Sequence, residues 1–418
     1  MFTFWTFIDS LMPVLVLILL WYIAKRLWYH YVTRDFIAGI DWILLEIRIP
    51  RELHRGPQAM ELVMMNALYQ LSHKSWYEIW WGGAVKLPFS CEIASIDGRV
   101  HFYIRTPSRI KDLVEIQIYA QYPQAEVLEV EDYSMQVPAV IPNKEWNLWG
   151  CEFKFIGPDA YPIRTYIDYG IDKTSTEEEE KDDPLTGTLE LLGSMKRGEQ
   201  MWVQIMIRAS GKKYHTPHTL FGTHDWTEES ELELAKIYKS YEAYARKGSK
   251  GEITQLGIPR FAEDTVKQID EKRDKLGFDV SIRCMYVARR ELFTKARYRG
   301  MRLIFRQFES PNYNGFSRIH STQVYYPWAD LTGRVVPHMK YRMLEDYRLR
   351  RSFYMPLFRS FRYPYLINFF FPDFKPYIMV LNSEELATIF HFPGRVSYTP
   401  TLRRIESKTA EPPWNLPL

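Results

Sequence analysis

Apolar and polar positions along this chain follow two different periods, and the places where the period changes mark out its elements. The first two dozen residues, MFTFWTFIDSLMPVLVLILLWYIA, show no period and carry no charge except Asp9. About 23 residues rising 1.5 Å each would cover a hydrocarbon layer of about 30 Å, so this stretch predicts a membrane-crossing helix within residues 1–35. Leu15, Leu17 and Leu19 would then lie in lipid and Trp21, Tyr22, Trp28 and Tyr29 at the headgroups, with Lys25, Arg26 and Arg34 following the apolar run. Positive charge follows the apolar run instead of preceding it, the reverse of a signal peptide. The same charges predict a single-pass protein of the cytoplasmic membrane with its N-terminus outside and its bulk in the cytoplasm. A helix lying flat in the interface is the alternative, because Asp9 and Pro13 shorten the cleanly apolar run.

Period two begins at WILLEIRIP, where Ile43, Leu45, Ile47 and Ile49 alternate with Glu46 and Arg48 as in a half-buried strand. From Pro57 the spacing turns helical through Met60, Val63, Met64, Ala67, Leu68 and Leu71. FSCEIASIDGRVHFYIRTP sets Asp97-Gly98 between two strand-like runs, a hairpin signal because such a turn needs positive φ. A helix through Ile110, Leu113, Val114 and Ile118 and a strand at AEVLEVEDY complete β-α-β-β-α-β, which predicts a ferredoxin-like domain over residues 40–138. A second α+β domain is predicted at 146–308. It has strands at Cys151–Phe155, at PIRTYIDYG, at MWVQIMIRAS and at FDVSIRCMYVA, and a polar and helical insertion near 210–258. The expected class is therefore α+β: a transmembrane helix, tandem ferredoxin-like (βαββαβ) domains, and an α-helical, arginine- and aromatic-rich C-terminal region at 309–418. In that region Asn382 or Ser383 is placed to cap a helix whose apolar side is Leu386, Ile389, Phe390 and Phe392. So much aromatic surface needs covering, by a partner or by the preceding domains. The end, TPTLRRIESKTAEPPWNLPL, has the chemistry of a connector.

Composition adds limits more than leads. The 418 residues allow two or three cores that stand without staples, and a net charge of +3 is uninformative in sum. Cys91, Cys151 and Cys284 show no CxxC spacing and sit in strand-like text, as small buried hydrophobes of a reducing compartment do. No P-loop string, dinucleotide fingerprint or G-x-S-x-G elbow occurs, so no cofactor and no enzyme activity are expected. TEEEEKDDP reads as a solvated loop, since like charges repel. His215, His218 and His224 with Asp225 have the ligand types of a divalent metal site, but Pro217 breaks any helix that would align them, and a polar loop is the better reading. Arginines interleave with aromatics in two stretches. The first holds Arg289, Arg290, Arg297, Arg299 and Arg302; the second holds Arg348, Arg350 and Arg351. Either could meet phosphate and stacked bases, or anionic lipid, or could merely solvate one face of a helix.

LEIRIPRELHRGPQAMELVM, HFYIRTPSRIKDLVEIQIYAQYPQAEVLEVEDY, VLNSEELATIFHFPG and RRIESKTAEPPWNLP together resemble the region that precedes the motor in conjugation-type, type IV secretion-like DNA-translocase ATPases of the HerA/FtsK superfamily. The likeness is best at about residues 40–135 and 378–417, and it rests on whole phrases. In such proteins the Pro-Pro segment leads into the nucleotide-binding domain. This chain has no Walker lysine, so the resemblance implies an anchor and docking layer whose motor is a separate polypeptide or a continuation of the chain. It implies a hexameric ATPase as partner, met by Leu386, Ile389, Phe390, Arg403 and Arg404, and an oligomeric assembly that moves DNA or protein through the envelope. The alternative is a membrane-proximal nucleic-acid binder that uses the arginine stretches.

Overall fold

The strand signals come out as hydrogen-bonded neighbours of one sheet. The computed structural model describes residues 2–50, 55–70, 74–171, 183–215, 223–241, 246–247, 253–255, 259–301, 303–324, 326–354 and 376–394. Over these residues the chain is mixed α+β, an N-terminal apolar helix followed by a nine-stranded antiparallel sheet. The helix is α1 (Phe2–Ala38). Next come β1 (Trp42–Arg48), α2 (Pro57–Val63) with a π-helical extension to Leu68, α3 (Trp76–Trp80), β2 (Phe89–Ile96), β3 (Arg99–Pro107), α4 (Lys111–Gln121) and β4 (Glu126–Val130). A second series follows with β5 (Trp146–Phe155), α5 (Leu185–Gly193) and β6 (Glu199–Ala209). The predicted insertion holds the pair β7 (Lys213–His215) and β8 (Thr223–Asp225), then α6 (Trp226–Tyr241) and the pair β9 (Arg246–Lys247) and β10 (Ile253–Gln255). The chain then returns through α7 (Arg260–Arg273), β11 (Gly277–Arg289), α8 (Lys295–Met301) and β12 (Phe316–Ile319). It closes with α9 (Val335–Arg348), β13 (Met379–Asn382) and α10 (Ser383–Ile389).

Across the sheet the order is β12-β5-β11-β6-β2-β3-β1-β4, with β13 beside the start of β11. Within each half the strands, counted by appearance, run fourth, first, third, second and then second, third, first, fourth, so the order reads the same from either edge. The halves meet where β6 pairs with β2, from Phe89 opposite Ile207 to Ile96 opposite Gln200. The two expected domains therefore share one sheet. Unjoined, β2 and β6 would each present a row of unpaired N–H and C=O groups, and their pairing removes both edges.

Alternation assigns each face. Leu45, Ile47, Cys91, Ile93, Phe102, Ile104, Cys151, Phe153, Val203, Ile205, Ile282 and Cys284 point into a layer of α2, α4, α5, α8 and α10. The other face packs Ala94, Tyr103, Leu148, Trp202, Met285 and Val287 against Met339, Met343, Leu344 and Tyr347 of α9. All three cysteines are free and buried, as their strand context predicts. Asp97 and Gly98 form the predicted hairpin turn with φ of 53° and 82°.

Two expectations fail in the second half. PIRTYIDYG is a turn and not a strand: Asp168 Oδ2 accepts from Thr165 N at 2.8 Å, while Ile163 N and Tyr166 N donate to Glu385 Oε1 and Thr388 Oγ1 of α10, so its amides have no ladder to join. Nor is the described C-terminal region a separate docking piece. Asn382 caps α10 in a capping box with Glu385, as the sequence suggests, but β13 pairs with β11 and α10 packs inside the helical layer. Leu386, Ile389 and Phe390 are 0%, 1% and 0% exposed. Burying three such side chains favours the closed arrangement by roughly 5–9 kcal/mol, so they are core and not a surface left for a partner.

Candidate functional site

The register of the sheet lines up polar residues that the apolar pattern conceals. On the α9 face, Glu152 of β5 lies opposite Arg283 of β11, Arg283 opposite Gln204 of β6, Gln204 opposite Glu92 of β2, Glu92 opposite Tyr103 of β3, and Tyr103 opposite Glu46 of β1. One row of side chains thus crosses both halves. Glu152, Arg283, Gln204 and Glu92 are each at most 1% exposed. Arg283 donates to Glu152 Oε1 from Nη2 at 2.8 Å and from Nε at 3.2 Å, and His320 Nδ1 lies 2.7 Å from the other carboxylate oxygen. Gln204 Nε2 donates to Glu92 Oε1 at 3.0 Å and to the Tyr347 carbonyl at 3.1 Å.

Where α9 ends, Arg350 takes a left-handed φ of 48° and meets Glu92 through Nε at 3.0 Å and Nη2 at 3.1 Å. It also pairs with Asp132, and the Tyr133 hydroxyl donates to Glu92 Oε2 at 2.8 Å. Burial alone would raise the carboxyls of Glu92 and Glu152, but the guanidinium beside each holds both below the usual carboxylate range. Every charge in the row is thus matched by hydrogen bonds inside the protein, and the chemistry this allows is clamping: the row ties α9 across the joint between the halves. At its β1 end it opens into a cleft of about 610 Å³ lined by Glu46, Arg99, His101, Tyr103 and Arg197, where His101 Nδ1 sits 2.6 Å from Glu46 Oε1.

These contacts correct the second arginine stretch. Arg350 is buried in the row, and Arg348 spends Nε and Nη2 on the carbonyls of Ser134, Val137 and Pro138 at 2.7–3.2 Å. Arg351 is half-buried and pairs with Glu345 at 3.1 Å. None of the three presents a free guanidinium to a polyanion. The first stretch faces outward more. Arg289, Arg290 and Arg299 are exposed, although Arg290 Nε donates to the Asn143 carbonyl at 2.6 Å. Arg297 leans on Ser194 Oγ at 3.0 Å and lies 3.6 Å from Glu199. Arg302, Arg403, Arg404, His218 and most of the acidic run lie outside the described residues. His215 and His224 fall on the β7–β8 pair, opposite Thr223 and Tyr214, and residues 216–222 between the two strands lie outside the described residues. Among the described residues no three His, Cys, Asp or Glu side chains gather as a metal site would need.

The N-terminal helix has the length and apolar character that the sequence predicts. Within α1, Met12–Ala38 is long and apolar enough to cross a membrane, and none of its most apolar window is buried against the protein. Leu15, Leu17, Leu19 and Trp21 are 54%, 66%, 57% and 71% exposed, and Lys25 lies over the ring of Trp80 at 4.8 Å. Arg26 is exposed beside it. Sequence pattern alone did not reveal the polar row or the Trp76–Trp81 segment that meets α1. Part of the signal was present, because Glu92 and Glu152 are each the one acid of a largely apolar strand, but which strand lies beside which is not a local property.

The fold and site define a large antiparallel α+β sheet, clamped by a buried charge row and led by an apolar helix. Residues 44–355, from β1 to the end of the α9 turn and so including the row, match the family described as a domain of unknown function, DUF8128, and the chain belongs to that family. Neither the curated proteins nor the solved structures contain a match to the chain.

Proposed function

We propose that the chain is a membrane-anchored, non-catalytic docking subunit that holds a rigid platform at the cytoplasmic face for a translocase ATPase of the HerA/FtsK type. The observation that carries this reading is the junction of anchor and sheet. Only residues 39–41 separate α1 from β1, and β1 is hydrogen-bonded on both sides, to β3 and β4. A helix in the bilayer with its N-terminus outside would therefore hold the whole sheet at a fixed distance from the lipid. In this reading each half is a ferredoxin-like unit, and joining them edge to edge doubles the platform. The partner assignment rests on the phrases at residues 40–135 and 378–417 that resemble the pre-motor region of such translocases, and it includes an oligomeric assembly. With Leu386, Ile389 and Phe390 in the core, the motor contact falls to the segment after Gly394, which includes Arg403 and Arg404.

The test is purification of the full chain from its native membrane in mild detergent beside a chain ending at Gly394. A Walker-motif ATPase that accompanies the first and not the second, with both chains equally stable to heat, supports the reading. Equal recovery with both chains, or no ATPase with either, removes it. A nucleic-acid reading keeps one favourable observation, the exposure of Arg289, Arg290 and Arg299. It requires affinity that falls steeply with salt and weakens when these three are replaced by Gln.

A further inference from the structure

The segment WYEIWWGG, Trp76 to Gly83, is the most tryptophan-rich stretch of the chain, and the anchoring reading leaves it unused. It forms α3, closed at its start by a capping box in which Ser75 and Glu78 bond each other's backbone amides. Trp76 and Trp80, and Tyr77 and Trp81, stand four residues apart, so the four rings share one side of this short helix. Trp76, Tyr77 and Trp81 are 69%, 68% and 57% exposed, a costly display for a face that meets only water.

What this helix touches says where it sits. The Trp28 indole donates from Nε1 to the Trp80 carbonyl at 2.7 Å, and its ring meets Trp81 edge-on at 5.3 Å. Tyr29 packs on Trp80 at 5.5 Å, and Lys25 lies over the same ring. Gly83, at φ +62°, comes so close that a Cβ there would stand 1.9 Å from the Val32 carbonyl oxygen, so the backbone itself seals the segment against α1. These contacts fall at residues 25–32 of α1, immediately after its continuous apolar run and beside Lys25 and Arg26. Tryptophan and tyrosine have an apolar body and one polar handle, and their free energy is lowest where hydrocarbon gives way to headgroups.

We propose that α3 is a second membrane contact: a collar clamped to α1 that inserts Trp76, Tyr77 and Trp81 into the headgroup layer. The occupant of this aromatic face is the lipid interface, because the face is continuous with the helix that enters it. Two points of attachment fix the tilt and rotation of the sheet over the membrane, which one helix alone would leave free. The inference rests on α1 spanning the bilayer.

The experiment separates the two claims. The full chain is placed in phosphatidylcholine–phosphatidylglycerol vesicles with one nitroxide at a time, on Leu17→Cys, Tyr77→Cys or Tyr119→Cys. The native cysteines are buried and stay unlabelled in the folded protein. Accessibility to oxygen is then compared with accessibility to a water-soluble nickel complex. The expected order of the oxygen-to-nickel ratio is highest at 17, intermediate at 77 and lowest at 119, an exposed position on α4. A ratio at 77 equal to that at 119, with 17 still high, overturns the collar and leaves the anchor standing. Low ratios at all three positions overturn both.

Discussion

Replacing Arg350 with methionine tests the buried row where it is most exacting. The substitution removes both bonds to Glu92, at 3.0 and 3.1 Å, together with the pairing to Asp132, and leaves the Glu92 carboxylate at 0% exposure without a cation. Breaking a buried pair by removing one partner costs about 3–5 kcal/mol, because the remaining charge is neither paired nor hydrated. Against a total stability of roughly 5–15 kcal/mol that loss is large. With a urea dependence of about 3 kcal/mol per molar, the unfolding midpoint of the full chain in detergent, followed by far-ultraviolet circular dichroism, falls by about 1–1.7 M. The pH dependence gives a second signature. In the parent protein the Glu92 carboxyl lies below its ordinary value, so its contribution is present above about 4.5 and is lost as pH falls through the lowered folded value. Without Arg350, burial raises the carboxyl above that value, so the deficit of the variant is full at pH 7 and shrinks as Glu92 takes up a proton on acidification. Adding Glu92→Gln to Arg350→Met recovers part of the loss at pH 7. A cost below about 1 kcal/mol, or a deficit unchanged between pH 7 and pH 5, would refute the clamp.

Three further outcomes follow from the same contacts. Phe390→Ala, at a site 0% exposed between Phe102 and Phe392, lowers stability by about 3–5 kcal/mol in a urea titration, whereas a residue kept for an external partner would leave the midpoint unmoved. Burial would lower the His391 imidazole, but Asp183 at 3.1 Å raises it overall; its stabilisation is therefore present below about pH 6.5 and lost as pH rises through the raised value, and His391→Gln flattens the midpoint between pH 6 and 9. Burial, with Arg290 nearby, pulls the Lys340 ammonium down to about 8, so the folded state bears a penalty that is full below pH 8 and fades towards the unfolded value of 10.5. Allowing for its partial exposure, Lys340→Met raises the stability by about 1–2 kcal/mol at pH 7, and the gain disappears near pH 10.5 in thermal melts.

The order of elements was legible in the sequence because period two and period 3.6 are local properties. Leu45 and Ile47, Val203 and Ile205, the Asp97-Gly98 turn and the Asn382 cap all fall where the pattern puts them. What was not legible depends on which strand lies beside which. Nothing local tells that β2 and β6 fuse the halves, or that Glu152, Arg283, Gln204 and Glu92 stand in one row. Arginine-rich text looked like exterior charge for the same reason, since Arg350 and its acids are 218 and 258 positions apart in the chain. The apolar side of α10 was correctly read as needing cover, and the cover proved to be the protein's own sheet.

If α1 spans the bilayer, as proposed, the chain is an integral membrane protein. Alkaline carbonate washing of membranes that carry the full chain measures this directly. A spanning α1 keeps the protein in the membrane pellet until detergent is added; complete release into the carbonate supernatant would contradict the spanning arrangement.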